Sequence, residues 1–100
     1  MSKITKSAKG EDCTFNIVEA CNYDPTTTVY CHLPDESKGM AKKSDDISGA
    51  YGCSSCHDVI DYRDKKRREM LTDAEVEWYQ RRAQTRTLRR LIDKGIVVIK

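Results

Sequence analysis

Cys53-Ser54-Ser55-Cys56-His57 is the stretch on which the fold turns. A C-x₂-C turn presents two thiolates to one tetrahedral ion, and its backbone N–H groups stabilise the thiolate charge. One such pair is half of a zinc site. Cys13 and Cys21 supply the other half at a wider C-x₇-C spacing, with Phe15, Ile17 and Val18 between them. The expectation is one structural Zn²⁺ on Cys13, Cys21, Cys53 and Cys56, contributing on the order of 10 kcal/mol of folding energy. Four unlinked thiols buried as small hydrophobes are the competing reading, and the polar surroundings of Cys53 and Cys56 weigh against it. The same five residues spell the C-x-x-C-H haem-attachment motif. The absence of an apolar export segment, the few aromatics and three further cysteines disfavour that reading.

Composition explains why a metal is needed. The chain has 100 residues, of which 38% are hydrophobic and 34% charged, with one Phe and one Trp. So short a chain buries a small share of its surface, and its core is lean. No apolar run reaches membrane-spanning length, and no signal-like segment follows Met1. A reducing, cytoplasmic setting is therefore expected, in which an odd set of five cysteines binds metal rather than forming disulfides.

Outward from the C-x₂-C turn, residues 1–12 are polar and lysine-rich and read as a loose basic arm. Asn22-Tyr23-Asp24-Pro25 is turn chemistry, and Thr26 to His32 reads as a strand. Residues 33–45 form a loop, and Ile47 to Tyr51 a second short strand. After Cys53 the period becomes helical, with Val59, Ile60 and Tyr62 on a short helix that runs into a basic stretch. Thr72-Asp73-Ala74-Glu75 is a capping box with Leu71 and Val76 as its staple. Val76, Ala83, Thr87, Leu88 and Leu91 continue that helix until Gly95 stops it, and Ile96 to Ile99 reads as a terminal strand. The expected class is α+β, with a metal-bound core over residues 13–66 and a C-terminal helix and strand over 67–100 packed on the same domain.

Two histidines stand near the cysteines. His57 follows the second thiolate at a helix start, and Asp61 lies four residues on, along the same helical face. Together they are candidates for a second divalent ion. His32 ends the first strand and suits a general base, because imidazole titrates near working pH. Cys31 neighbours His32 on a strand, so the two point to opposite faces. If His32 faces the helix, Cys31 turns away as a free thiol outside the zinc set.

Charge is uneven along the chain. Residues 1–62 carry six lysines against ten acids, whereas residues 63–90 carry ten cations against five acids. An arginine-rich segment suits phosphate oxygens, with Lys65, Lys66, Arg67 and Arg68 as the nearest candidates. A solvated helix face is the plainer alternative.

A strand ending in histidine, a loop and C-x₂-C-H opening a helix resembles the HNH branch of the ββα-metal (His-Me finger) nucleases. More closely, Lys6 to Gly10, Cys13, Cys21-Asn22, Cys31-His32 and Cys53 to Asp61 are similar to the YbcO-like family of small prophage-encoded nucleases. The resemblance covers roughly residues 6–63, with an echo at Lys94 to Val97. It implies a zinc-stabilised treble-clef core and a nuclease activity, one assigned to the family mainly from fold and histidine. It departs from the HNH pattern in two places: Cys31 stands where many carry an acid, and no Asn lies between His32 and Cys53, leaving Asp46 as stand-in.

Two functions follow as expectations. The first is a metal-dependent DNA endonuclease, with His32 as base and Mg²⁺ or another divalent ion on His57 and Asp61, in phage recombination or DNA processing inside a bacterial host. The second is a non-catalytic, zinc-stabilised nucleic-acid-binding or adaptor module.

Overall fold

The computed structural model describes residues 3–33 and 48–98. In chain order the elements are α1 (Lys3–Lys6), a 3₁₀ turn (Pro25–Thr27), β1 (Val29–His32), β2 (Gly49–Gly52), α2 (Ser54–Ile60), α3 (Lys65–Glu69) and α4 (Asp73–Asp93). The domain is α+β: a two-stranded sheet and four α-helices among the described residues.

β1 and β2 pair antiparallel with Val29 opposite Gly52, Tyr30 opposite Tyr51, Cys31 opposite Ala50 and His32 opposite Gly49. The strand starts later than the β-branched run suggests. Asp24 Oδ1 accepts from Thr26 N at 3.0 Å and winds Pro25–Thr27 into a turn instead.

Opposite residues of an antiparallel pair share a face, so the hairpin divides the core. On one face Cys31 and Ala50 pack with Phe15, Cys53 and the Cys56 and Val59 side of α2. On the other, Tyr51 packs with Ala8 and Leu91, and Tyr30, Ile4, Ile96 and Val97 close around them. His32 belongs to this second face. Gly52 is glycine for a packing reason: a Cβ there would meet Cys31 Sγ at 2.8 Å and the Phe15 ring at 2.9 Å.

α4 begins at the expected capping box. Thr72 Oγ1 accepts from Glu75 N at 3.1 Å, and Glu75 Oε1 accepts from Thr72 N at 3.0 Å. Its buried residues, Val76, Ala83, Thr87 and Leu91, recur at helical spacing. Thr87 reaches the outer edge of β2, where its hydroxyl accepts from Tyr51 N at 3.0 Å. The Tyr51 carbonyl accepts from Thr14 N at 2.8 Å and from the Thr14 hydroxyl at 2.6 Å.

Three local readings are corrected. The helix after Cys53 does not run into the basic stretch. Tyr62 takes a left-handed φ of 64°, ending α2, and Asp64 caps a separate α3 by accepting from Arg67 N at 3.1 Å. Residues 96–98 are not a strand: Ile96 N and Val97 N both donate back to Leu91 O, at 3.0 and 3.2 Å, in the cap that follows Gly95. Thr14 and Thr87 already satisfy the β2 edge that a further strand would need. The first residues are not a loose arm either, since Ala8 is buried and Ser7 Oγ lies 2.6 Å from Tyr51 Oη.

What holds the N-terminal segment is a ladder of cations on α4 and its C-cap, Lys94. Arg82 donates to Phe15 O at 2.7 Å, Arg86 to Thr14 O at 3.2 Å, Arg90 to Asp12 O at 2.8 Å and Lys94 to Ser7 O at 3.3 Å. Residues four apart lie on one helical line, so one stripe of α4 reads out the backbone of residues 7–15. Three of the ten cations of residues 63–90 are thus engaged by the protein's own backbone.

Candidate metal centre and the adjoining histidine site

Cys53 is itself the N-cap of α2, its sulfur accepting from Cys56 N at 3.3 Å. The C-x₂-C turn and the helix start are one structure. The wide spacing of the other pair is closed by two left-handed residues, Asn16 (φ 46°) and Glu19 (φ 66°), with Ala20 N and Cys21 N both donating to Ile17 O. Non-glycine residues rarely hold such angles. Here the buried Phe15 and Ile17 on either side of Asn16 anchor the loop, so the spacer curls back on itself.

The result is a cluster in which the sulfurs of Cys13, Cys21, Cys53 and Cys56 all lie within 4.8 Å of one another. Cys21 and Cys53 are 3.8 Å apart. Four zinc–sulfur bonds of roughly 2.3 Å in a tetrahedron put neighbouring sulfurs roughly 3.8 Å apart, so the donor set and its spacing fit zinc. N–H groups face the sulfurs: Asn16 N to Cys13 at 3.5 Å and Asn16 Nδ2 to Cys21 at 3.4 Å. The metal-free thiols share protons unequally. A hydrogen bond from the Cys56 thiol lowers Cys13 to about 5. The same bond, with burial, pushes Cys56 up, and burial raises Cys21.

Cys31 stands outside the cluster, buried in the core face of the hairpin. Burial, and then the charge of Asp61, raise its thiol well above the ordinary range. It is a packed, protonated side chain.

On the first turn of α2, His57 Nε2 lies 2.9 Å from Asp61 Oδ2, and the imidazole is 23% exposed. Arg63 lies beyond, 3.9 Å from the same carboxylate oxygen and 3.5 Å from Asp58. Lys65, Lys66 and Arg67 are exposed on α3, with Arg67 paired to Asp64 at 3.0 Å. Arg68 leaves this group. Its side chain is buried, donates to Asp73 at 2.9 Å and Leu71 O at 3.3 Å, and covers the Tyr62 ring at 4.6 Å. It joins α3 to α4 instead of meeting solvent.

His32 is exposed, edge-on to Tyr30 with ring centroids 5.4 Å apart. The expectation that it faces α2 is corrected by the pairing register: Cys31 takes the face that packs with Cys56 and Val59, and His32 takes the other. Among the described residues the four cysteines are the one group of three or more metal-type ligands so closely gathered. Asp46 lies outside the described residues. Sequence reading missed Asn16 and Arg86. Arg86 donates to Asn16 Oδ1 at 3.0 Å and so ties α4 to the loop of the cluster. The signal was present as cations at 82, 86, 90 and 94, but a solvated stripe has the same spacing.

Fold and site together define a small α+β domain built round four convergent cysteines. The chain belongs to the family described as "Putative nuclease YbcO", which it matches over residues 2–96. It is 36% identical over 64 residues, 63% of this chain and 67% of the relative, to "Putative nuclease YbcO" of Escherichia coli K12. The same figures relate it to "Putative nuclease ybcO" of Enterobacteria phage 82. It is also similar to the solved structure of a "putative bacteriophage protein" from Escherichia coli K-12, with TM-score 0.72, 25% identity, and 92% of this chain and 99% of that chain covered. No helix among the described residues is long and apolar enough to cross a membrane.

Proposed function

We propose that the protein is a metal-dependent endonuclease of phage DNA recombination or processing, acting in the host cytoplasm on a zinc-stabilised treble-clef core of HNH type. The observation that carries the reading is the 2.9 Å pair of His57 and Asp61, set at the end of the cysteine turn and next to an exposed basic helix. The family name and the phage origin of a relative support the nuclease class.

In this reading Asp61 engages Nε2 of His57, fixes the ring and leaves Nδ1 as the ligand atom. A divalent ion held there by His57 would supply positive charge to the scissile phosphate. An imidazole backed by a carboxylate suits Mn²⁺ or Ni²⁺ better than Mg²⁺. Lys65, Lys66 and Arg67 hold the phosphate backbone, and the family resemblance alone makes His32 the candidate base, since it stands on the hairpin face away from α2. Zinc on the four cysteines takes no part in the chemistry.

Nicking of supercoiled and branched DNA with Mg²⁺, Mn²⁺ or Ni²⁺ tests this. Loss of cleavage in His57→Ala, with zinc content and fold retained, is the expected result. Full activity in both His57→Ala and His32→Ala would end the proposal.

One observation favours a second reading, the zinc-stabilised binding or adaptor module. His32 and the buried side of α2 lie on opposite faces of the hairpin. DNA binding without cleavage under every ion would select it.

A further inference from the structure

α4 carries five arginines between Trp78 and Ile92 and no acid, with Glu77 and Asp93 bounding the stretch. Three of the five, Arg82, Arg86 and Arg90, are turned inward on carbonyls of residues 12–15. Arg81 and Arg89 are not. Both are exposed, and neither guanidinium makes a hydrogen bond or ion pair among the described residues. Uncommitted guanidinium groups held on a rigid helix are suited to phosphate oxygens.

The same outer stripe offers more than charge. At a rise of 1.5 Å per residue, Trp78 to Arg89 spans roughly 16 Å. Trp78, Arg81, Thr85, Leu88 and Arg89 recur at spacings that keep them on one side. Trp78 is 55% exposed although it is the only tryptophan in a lean chain. One side of its ring is covered by the Arg82 guanidinium at 4.5 Å. Between the two free arginines lies a hollow of about 250 Å³, lined by Gln84, Thr85, Leu88, Leu91 and Gly49. Gly49 is the register partner of His32, so the hollow opens beside the strand histidine.

We infer that the outer face of α4 is a contact surface for single-stranded DNA, with phosphates on Arg81 and Arg89 and unpaired bases on Trp78 and in the hollow. An aromatic face with interleaved arginines is the chemistry that holds unstacked bases without reading sequence. A duplex presents phosphates but no free base faces to Trp78. The inference goes beyond the nuclease reading and does not rest on it, because it concerns a different face from α3 and requires no cleavage.

The single tryptophan makes the test direct. Zinc-loaded full chain is titrated with oligo-dT of about 15 nucleotides and with a duplex of the same length, reading tryptophan fluorescence and, with labelled DNA, anisotropy. The single strand is expected to quench Trp78 and to bind more tightly than the duplex. Arg81→Ala with Arg89→Ala should weaken binding about tenfold and flatten the salt dependence by about two counterions, with zinc content and circular dichroism unchanged. Lys3→Ala with Lys9→Ala removes equal charge elsewhere and should leave binding within about twofold. Binding that saturates without quenching, survives loss of both arginines, or favours the duplex overturns the surface. Binding through α4 without cleavage under any ion defeats the nuclease reading and leaves this one standing. Cleavage that coexists with arginine-independent binding does the reverse.

Discussion

Asn16 joins Arg86 to Cys21: its Oδ1 accepts from the α4 guanidinium at 3.0 Å while its Nδ2 donates to the Cys21 sulfur at 3.4 Å. A single amide thus links the C-terminal helix to the four-cysteine cluster. Groups that support metal ligands from behind typically contribute 10–100-fold to affinity. Asn16→Ala should therefore weaken zinc retention by about tenfold or more, read as faster transfer to a chelating dye, with the fold otherwise intact. An unchanged transfer rate would mean that the amide is incidental.

Purified protein should carry one zinc per chain by elemental analysis. Cys53→Ser and Cys56→Ser should lose both the metal and the cooperative thermal transition, because folding and metal binding are one equilibrium. Cys31→Ser should keep the zinc and lose about 1–3 kcal/mol by placing a hydroxyl in an apolar core. Zinc lost from Cys31→Ser would place that thiol among the ligands.

Zinc uptake should release protons. Cys56 is raised chiefly by its bond to Cys13, and Cys21 by burial, so both are protonated at neutral pH, whereas Cys13, lowered to about 5, is already a thiolate. Binding must expel the protons on Cys21 and Cys56, so affinity rises with pH and falls as the solution is acidified. Calorimetry in buffers of different ionisation enthalpy reads that release directly. Proton-neutral uptake at pH 7 would contradict the assignment of these thiols.

Arg82→Ala removes the donor to Phe15 O and uncovers the Trp78 and Tyr79 rings, which the guanidinium approaches to 4.5 and 5.4 Å. A cost of about 1–3 kcal/mol is expected in denaturant melts. Arg82→Lys should recover only part of it, since an ammonium lacks the planar fork. Arg81→Ala, on the outer face, should leave stability within about 0.5 kcal/mol.

Gly52→Ala should destabilise by about 1–3 kcal/mol, the cost of overpacking a filled core, because its methyl would press on Cys31 Sγ and the Phe15 ring. Pairing it with Cys31→Ala should recover part of that loss, since the sulfur is removed while the ring remains. Equal melting of Gly52→Ala and the parent would show that the hairpin can give way there.

The parts of this fold that were legible in the sequence are those governed by local chemistry. Thr72 and Glu75 announce their capping box, Gly95 its cap, and Cys53 and Cys56 their turn. The partnership of Cys13 and Cys21 was also legible, since metal chemistry demands four ligands whatever the spacing. What escaped depends on tertiary contacts. Nothing local to Tyr62 requires a left-handed angle there. Ile96 and Val97 have strand composition, but their N–H groups are taken by Leu91 O and the sheet edge by Thr14 and Thr87. Alternation placed Cys31 and His32 on opposite faces correctly. Which face receives α2 was decided by Val59 and Cys56, and the strand alone does not say.

The cation ladder of α4 has a temporal consequence. Cys13 is made long before residues 82 to 94, yet those residues hold the segment that carries it. A nascent chain that has emerged only through Cys56 possesses all four sulfurs but lacks the scaffold that aligns the first of them. If these sulfurs hold zinc, tight loading would wait for α4 to leave the ribosome, and a prematurely terminated chain would present thiols without a metal centre.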